Sequence, residues 1–270
     1  MNKNKTLKED ALHYHAKGRP GKIEVIPSKE TATQRDLTLA YSPGVAEPCL
    51  AIYENPEDVY KYTAKGNLVA VISNGTAVLG LGDIGPAAGK PVMEGKGLLF
   101  KIYADIDVFD LELDTKDVEE FIRTVKILEP TFGGVNLEDI SAPDCFIIEE
   151  RLKAEMNIPV MHDDQHGTAI ISAAALLNAI ELVEKDMSSV KIVVNGAGAS
   201  ASSCTKLYCS LGAQKKNIFM FDSKGLIHPS RTNLDGKKKE FANDNAPAST
   251  TLTEALVDAD VLLVCQKAMF

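Results

Sequence analysis

Apolar positions along the chain come in short runs separated by amphipathic stretches, and from residue 98 onward the alternation is regular. Strands are predicted over 98–104, 134–137, 158–161, 190–194, 218–221 and 261–264. A helix is predicted over 115–128, where Val118, Phe121, Ile122 and Val125 recur at helical spacing. A second opens at Ser141-Ala142-Pro143 and runs to about 156, with proline early, where its missing N–H costs nothing. A third, over 167–185, is nearly apolar and is expected to be buried. Helices over 199–211 and 252–259 complete the series. Strand–helix alternation of this kind predicts an α/β fold with parallel sheets.

The upstream part reads differently. Residues 1–40 are polar and mixed, with one helix expected over 7–17 before the turn Gly18-Arg19-Pro20-Gly21. Residues 66–101 hold eight glycines among short apolar runs. That density implies either close approach of backbone to another group or tight packing between strands. A domain boundary is placed between 187 and 188, in Lys185-Asp186-Met187-Ser188-Ser189, ahead of a new βαβ series. Residues 232–250 are polar and read as a loop.

Composition adds limits. The 270 residues are 45% hydrophobic and 25% charged, enough for one large domain or two modest ones. The net charge of −9 argues against nucleic acid or an anionic membrane as the main partner. Cys49, Cys145, Cys204, Cys209 and Cys265 are scattered without a Cys-x-x-Cys, so reduced thiols are expected rather than a disulfide framework or zinc site. The start has no apolar core for a signal peptide, and no run approaches membrane-spanning length. A soluble cytoplasmic protein is the expectation.

Candidate chemistry lies at the ends of the predicted strands. Glu138-Asp139 follows one run and Asp163-Asp164 another. Carboxylates that converge repel one another and need a cation or a shared proton. Hard divalent cations prefer oxygen ligands, so three carboxylates with water and substrate oxygens would suit Mg²⁺ or Mn²⁺. Helix capping would account for one aspartate of the second pair, not for four carboxylates at two strand ends. His162 and His166 read as loop residues rather than ligands. Downstream, Gly196-Ala197-Gly198-Ala199-Ser200-Ala201 follows a strand and opens a helix, as a dinucleotide turn does. There Gly196 would permit the tight turn, Gly198 the approach of a pyrophosphate, and Ala201 close helix–strand packing. Asp222 ends the next strand, at the distance expected of a ribose-binding acid. Its charge favours NAD, but Ser223 and Lys224 follow at once and could receive the 2′-phosphate of NADP.

These residues resemble the malic enzymes, in the bacterial form with a short amino-terminal region. The matching stretches are Leu-Ala-Tyr-Ser-Pro-Gly-Val-Ala-Glu-Pro-Cys (39–49), Asn-Gly-Thr-Ala-Val-Leu-Gly-Leu-Gly-Asp-Ile-Gly-Pro (74–86), Pro-Val-Met-Glu-Gly-Lys-Gly-Leu-Leu-Phe-Lys (91–101), Asn-Leu-Glu-Asp-Ile (136–140), His-Asp-Asp-Gln-His-Gly-Thr-Ala (162–169) and Asn-Gly-Ala-Gly-Ala (195–199). The resemblance implies a malic-type α/β domain over 1–187, followed over 188–270 by a Rossmann-like NAD(P)-binding domain of which only the first half is present. It implies oxidative decarboxylation of L-malate to pyruvate and CO₂ with NAD or NADP and Mg²⁺ or Mn²⁺. Tyr41 matches the family's proton-donating tyrosine and Lys96 its general base. Glu138, Asp139 and Asp164 match the metal ligands, and Asp163 a supporting acid. Gly196, Ala197, Gly198, Ala199 and Ser200 match the cofactor loop, and Thr76 lies in the loop facing the nicotinamide. A lysine beside a divalent cation and away from bulk water can act as a base near neutral pH.

The resemblance also has a break. Three strands of the cofactor domain are expected, in the order 3-2-1, with the strand over 190–194 left at an apolar sheet edge. Cys265-Gln266-Lys267 departs from the family pattern, and a frameshifted or prematurely terminated gene is the expected cause. The alternatives to an active malic enzyme are therefore an inactive truncated fragment or malolactic conversion of malate to lactate. A homo-oligomer, dimer or higher, is expected because family members self-associate.

Overall fold

The structure, a computed structural model, describes residues 3–234 and 236–265, without the side chains of residues 3–5, 236 and 237. It forms two compact units, Met1–Ile140 with Phe146–Val160, and Ser141–Cys145 with Met161–Phe270. The boundary expected from sequence, at 187/188, differs from this division by one long helix, which packs in the second unit. Among the described residues no helix is long and apolar enough to cross a membrane.

In the first unit four helices precede the sheet: α1 (Lys3–Ala16), α2 (Gln34–Ala40), α3 (Ala46–Glu54) and α4 (Val59–Tyr62). Thr33 and Asp36 start α2 with a reciprocal capping box, the Asp36 N–H donating to Thr33 Oγ1 at 3.2 Å and the Thr33 N–H to Asp36 Oδ2 at 2.8 Å. Neither α2 nor α3 buries a residue. There follow β1 (Leu68–Ser73), α5 (Pro86–Ala104), β2 (Asp107–Glu112), α6 (Val118–Ile127), β3 (Gly134–Leu137), α7 (Asp144–Glu155) and β4 (Val160–His162). The sheet order is β2-β1-β3-β4, and β1 runs parallel to both β2 and β3. β3 is buried along its whole length, whereas the edge strand β2 alternates and carries Asp107, Asp110 and Glu112. The predicted face of α6 is the buried one, with Phe121, Ile122 and Val125 inside and Asp117 accepting from the Glu120 N–H at 2.7 Å.

The strand expected over 98–104 is instead the last part of α5. The buried positions of that helix are Gly89, Met93 and Gly97, spaced four apart. A β-carbon on Gly97 would lie 3.2 Å from Val108 Cγ1, so small residues let α5 settle on β2. The glycine-rich stretch is thus a close-packing device. Gly75 (φ +67°) is its extreme case, since a β-carbon there would fall 2.2 Å from the backbone of Gly85.

The second unit holds α8 (Asp163–Leu182), β5 (Ile192–Asn195), α9 (Ala199–Ser210), β6 (Ile218–Asp222), β7 (Gly225–Leu226), α10 (Gly236–Lys239), α11 (Leu252–Leu256) and β8 (Val261–Val264). One core is built from Ala169, Ala173 and Leu176 of α8, Ala201, Cys204 and Tyr208 of α9, and Ile192 and Val194 of β5. Val193 points the other way, into a second cluster with Phe221, Leu226 and Ala255. Burying a large apolar side chain in this manner contributes roughly 1.5–3 kcal/mol. The burial expected of α8 from its apolar composition does not hold on every face: Ile170, Ile171 and Leu182 are exposed.

The strand order in this unit overturns the expected 3-2-1. It is β7-β6-β5-β8, with β5 parallel to β6 on one side and to β8 on the other. The first strand is therefore interior, not an exposed edge; β8 is the edge. The chain leaves β5 toward β6 and later returns to β8 on the opposite flank. Such a reversal of direction marks the carboxyl end of β5 as the place where an open α/β sheet receives a ligand.

Candidate functional site

In the first unit the acidic pair ends a strand that is buried on both faces. Glu138 and Asp139 are 5% and 4% exposed, so their carboxylates sit where charge requires compensation. Lys96, on α5, brings its Nζ to 3.3 Å from Glu138 Oε1. Asn136, on β3, donates from Nδ2 to Glu138 Oε2 at 2.8 Å. Asp139 adopts φ +54°, a left-handed conformation that aspartate tolerates better than most residues. Its carbonyl accepts the Ala77 N–H at 3.0 Å, which ties the turn after β1 to the end of β3. Thr76 lies in that turn, and its hydroxyl donates to Asn74 Oδ1 at 2.7 Å. The loop expected to face the nicotinamide is therefore anchored beside the acidic pair.

Tyr41 closes α2 as its C-cap and is 77% exposed. No hydrogen bond joins its hydroxyl to another described residue. The structure thus brings Lys96 to Glu138 directly, and does not join Tyr41 to Lys96.

In the second unit Asp163 and Asp164 form the first turn of α8. A β-carbon on Gly167 would stand 2.5 Å from Asp163 Oδ1, so the carboxylate of Asp163 lies over the glycine one turn later. His162 is a fully buried strand residue rather than a loop residue, with Nδ1 3.8 Å from Asp164 Oδ2, and His166 lies within α8. The Ser200 hydroxyl donates to the Asp164 carbonyl at 2.8 Å, which links the start of α9 to the start of α8.

In the glycine turn the two glycines sit in different surroundings. Gly196 has φ +121°, and its own chain crowds it: a β-carbon would lie 2.5 Å from the Cys265 carbonyl oxygen. Gly198 is exposed with open space before it, and it directly precedes Ala199 and Ser200 at the amino end of α9. An anion can reach those N–H groups and the positive end of the helix dipole. Ala197 packs on the core, and Ala201 lies fully inside it.

Asp222 ends β6, and here the structure adds a residue that sequence reasoning missed. Arg231 donates from Nη1 to Asp222 Oδ1 at 2.9 Å and from Nη2 to Oδ2 at 3.0 Å. The Lys224 N–H adds a bond to Oδ1 at 2.9 Å, and Lys238 Nζ lies 3.7 Å from Oδ2. Burial alone would raise the Asp222 pKa. The Arg231 guanidinium, the Lys224 N–H and the charge of Lys238 outweigh it and hold the carboxyl below its usual range. No local motif announces Arg231, because it comes from an irregular segment beyond β7.

Comparison with known proteins places these features. Residues 20–153 match the family described as malic enzyme, N-terminal domain, and residues 165–265 the family described as malic enzyme, NAD binding domain. The chain is 60% identical over 260 residues to the NADP-dependent malic enzyme of Salmonella typhimurium, covering 96% of this chain and 34% of that protein. It is 54% identical over 261 residues to the bifunctional malic/malolactic enzyme of Bacillus subtilis, covering 96% of this chain and 63% of that protein. The crystal structure of the NAD-dependent malic enzyme of Thermotoga maritima superposes with a TM-score of 0.87 at 45% identity, over 96% of this chain and 68% of that one. The chain thus spans only part of the length of these relatives.

Proposed function

The chain belongs to the malic enzyme family, and on that premise we propose that it carries the malate, metal and nucleotide groups of an enzyme converting L-malate to pyruvate and CO₂ with reduction of NADP⁺. The observation that carries this reading is the Lys96–Glu138 pair at 3.3 Å beside buried Asp139. A lysine held against a buried acidic pair is an arrangement suited to a base acting beside a cation.

The donor chemistry fits Mg²⁺ or Mn²⁺. Glu138, Asp139 and Asp164 would hold the ion, all through hard carboxylate oxygens. When bound, the ion supplies positive charge for the electrons that develop as CO₂ leaves, and the nicotinamide ring accepts the hydride from C2. Lys96 takes the proton of the C2 hydroxyl. Tyr41 returns a proton to C3 of the enolate; its exposure on α2 leaves the hydroxyl free to reach a substrate. Asp163 supports Asp164 from the first turn of α8. Thr76 positions the nicotinamide end, and Gly196 to Ser200 receive the pyrophosphate at the amino end of α9. In this functional sense the boundary stays at 187/188, since the start of α8 belongs with the metal chemistry.

NADP⁺ is the proposed coenzyme. Both Asp222 oxygens are engaged by Arg231, so the acid is not poised for the two ribose hydroxyls as in an NAD site. Ser223 and Lys224 are exposed next to it. Self-association is also proposed: α2 and α3 bury nothing in the single chain and expose Leu37, Leu39, Leu50 and Tyr53. The proposed location is the cytoplasm.

The test is turnover of L-malate with Mn²⁺ and NADP⁺ or NAD⁺, on this chain and on one extended to the length of its curated relatives. The extended chain is expected to form NADPH and pyruvate, with NADP⁺ favoured on the order of tenfold in kcat/KM. Lactate without NADPH would indicate malolactic chemistry. No turnover by the extended chain would overturn the reading, whereas activity confined to it would mark the shorter chain as an inactive fragment.

A further inference from the structure

The second unit holds a pair of thiols that the proposed reaction does not use. Cys204 lies on α9, fully buried in the core of that unit, and Cys265 packs against the same cluster just beyond β8. The two side chains meet in that core, each the other's main polar neighbour, and the Ser172 hydroxyl donates to Cys204 Sγ at 3.4 Å. Cys209 lies five residues along the same helix and therefore on a different face. Both members of the thiol pair are tied to the nucleotide turn, one through its helix and one by contact. α9 begins at that turn, and the Cys265 backbone is what crowds Gly196.

We propose that Cys204 and Cys265 close a reversible disulfide that ties α9 to the carboxyl end of β8 and weakens nucleotide binding. The effect on the nucleotide rests on the reading of residues 196–200 as its site; the disulfide does not.

The chemistry needs a two-electron oxidant, and hydrogen peroxide is the class proposed. The hydrogen bond from Cys265 lowers the Cys204 pKa to about 7; burial opposes this and Ser172 assists it. Cys204 is therefore the thiolate-rich member, and thiolate is the reactive form. Peroxide is small and can enter past Cys265, which is only partly buried. The Cys204 sulfur takes one peroxide oxygen to become a sulfenic acid, and the other leaves as water. Cys265 is held protonated by its bond to Cys204, by burial and by the charge of its neighbour. That charge vanishes once Cys204 is oxidised. The Cys265 sulfur then attacks, the S–S bond forms as the S–O bond breaks, and the hydroxyl departs with the Cys265 proton as a second water. Two thiols lose two electrons, and one peroxide becomes two waters. A dithiol reductant reverses the bond.

Closure draws the sulfurs from non-bonded contact to about 2.05 Å. A close-packed interior passes such a contraction to its neighbours, and the nearest backbone is Gly196.

The test uses the 270-residue chain, reduced and then treated with hydrogen peroxide. Maleimide-reactive thiols counted after unfolding in denaturant should fall from five to three, and peptide mapping should join Cys204 to Cys265. Dithiothreitol should restore all five. Cys265→Ser, a change at a partly exposed position, should form no such bond, and Cys204→Ala should behave likewise. An unchanged thiol count, or a bond between other cysteines, overturns the disulfide. NADP⁺ affinity should fall on the order of tenfold on oxidation, within the usual range for coupled sites, and Cys265→Ser should be insensitive. Equal affinity in the two states overturns the coupling. If the reduced chain binds no NADP⁺, the nucleotide reading fails instead. Hydrogen exchange at the amides of residues 196–201, which is expected to change on oxidation, then still decides whether the bond reaches the turn.

Discussion

Two strand ends in this molecule carry carboxylates, and they handle the charge in different ways. At the end of β3, Glu138 and Asp139 are almost wholly buried, and the neighbouring cation is a lysine at 3.3 Å. At the end of β6, Asp222 is gripped at both oxygens by the planar guanidinium of Arg231. The difference is one of use. A lysine is a compact, adjustable charge that can give up its proton, while an arginine fork is fixed and permanently charged. On the proposed function, the β3 end is the one that does chemistry. The β6 end is arranged to stay as it is, shaping a surface beside the exposed Lys224.

The comparison breaks most sharply at Lys96. Lys96→Met in the chain extended to its relatives' length keeps much of the side-chain volume and removes the proposed base. Malate oxidation is expected to fall on the order of 10²–10⁴-fold, the usual share of a positioned acid–base group. NADP⁺ affinity should hold, because the nucleotide turn lies on other elements. Steady-state kinetics with a parallel coenzyme titration reads both. Near-normal kcat in the variant would remove Lys96 from the chemistry and leave the β3 end a structural ion pair.

Arg231→Ala probes the other end, through stability. It strips the fork from a carboxylate that is only 12% exposed and also unbinds the carbonyls of Gly225 and Leu226. Breaking one partner of such a pair costs about 3 kcal/mol, to be read by urea unfolding. Asp222→Ala with Arg231→Ala should cost less than the sum, since neither charge is then stranded. The sign with pH follows from the lowered Asp222 pKa. A depressed carboxyl contributes stability above its unfolded value, about 3.9, and loses it as pH falls through the folded value. The cost of Arg231→Ala should therefore shrink in acid. A cost independent of pH would show that the fork serves the carbonyls alone.

What could be read ahead of the structure follows the same divide between local and distant causes. The acidic pairs and the glycine turn were legible because each directly ends an apolar run, and the face of α6 because Phe121, Ile122 and Val125 repeat at helical spacing. The carboxyl half of α5 carries the sequence pattern of a strand. Its buried side is written in glycine at 89 and 97, which carries no hydrophobic signal, so the run Leu98-Leu99-Phe100 stands out instead. β2 gives only a faint strand signal, because its Val108, Phe109 and Leu111 sit among the charges of an edge strand. The place of β8 beside β5 was beyond periodicity altogether, since lateral order is set by which faces pack, not by the repeat along one strand. Arg231 escaped for a related reason: its partner is nine residues away across a turn, and no spacing rule connects them.

A third carboxylate pair sharpens the contrast with the smallest expected effect. On the edge strand, Glu112 and Asp110 share a hydrogen bond, and Lys90 stands 2.5 Å from Asp110 and 3.7 Å from Glu112. Burial first, then the bond to Asp110 and its charge, push the Glu112 carboxyl up to about 7. Asp110 is held low, since the hydrogen bonds from Glu112 and Lys90 outweigh its burial. Here one lysine serves two acids, and a proton makes up the balance. A carboxyl raised in the folded state is favoured in its protonated form. It carries no penalty below its unfolded value, about 4.3, and a growing one as pH rises through the folded value. Glu112→Gln imitates the protonated acid and keeps a hydrogen-bond donor for Asp110. Urea unfolding should show little change at about pH 5 and a gain on the order of 1 kcal/mol at about pH 8, after allowance for solvent screening. An equal effect at both values would mean that Glu112 is charged throughout, and that Lys90 alone neutralises the pair as Arg231 does for Asp222.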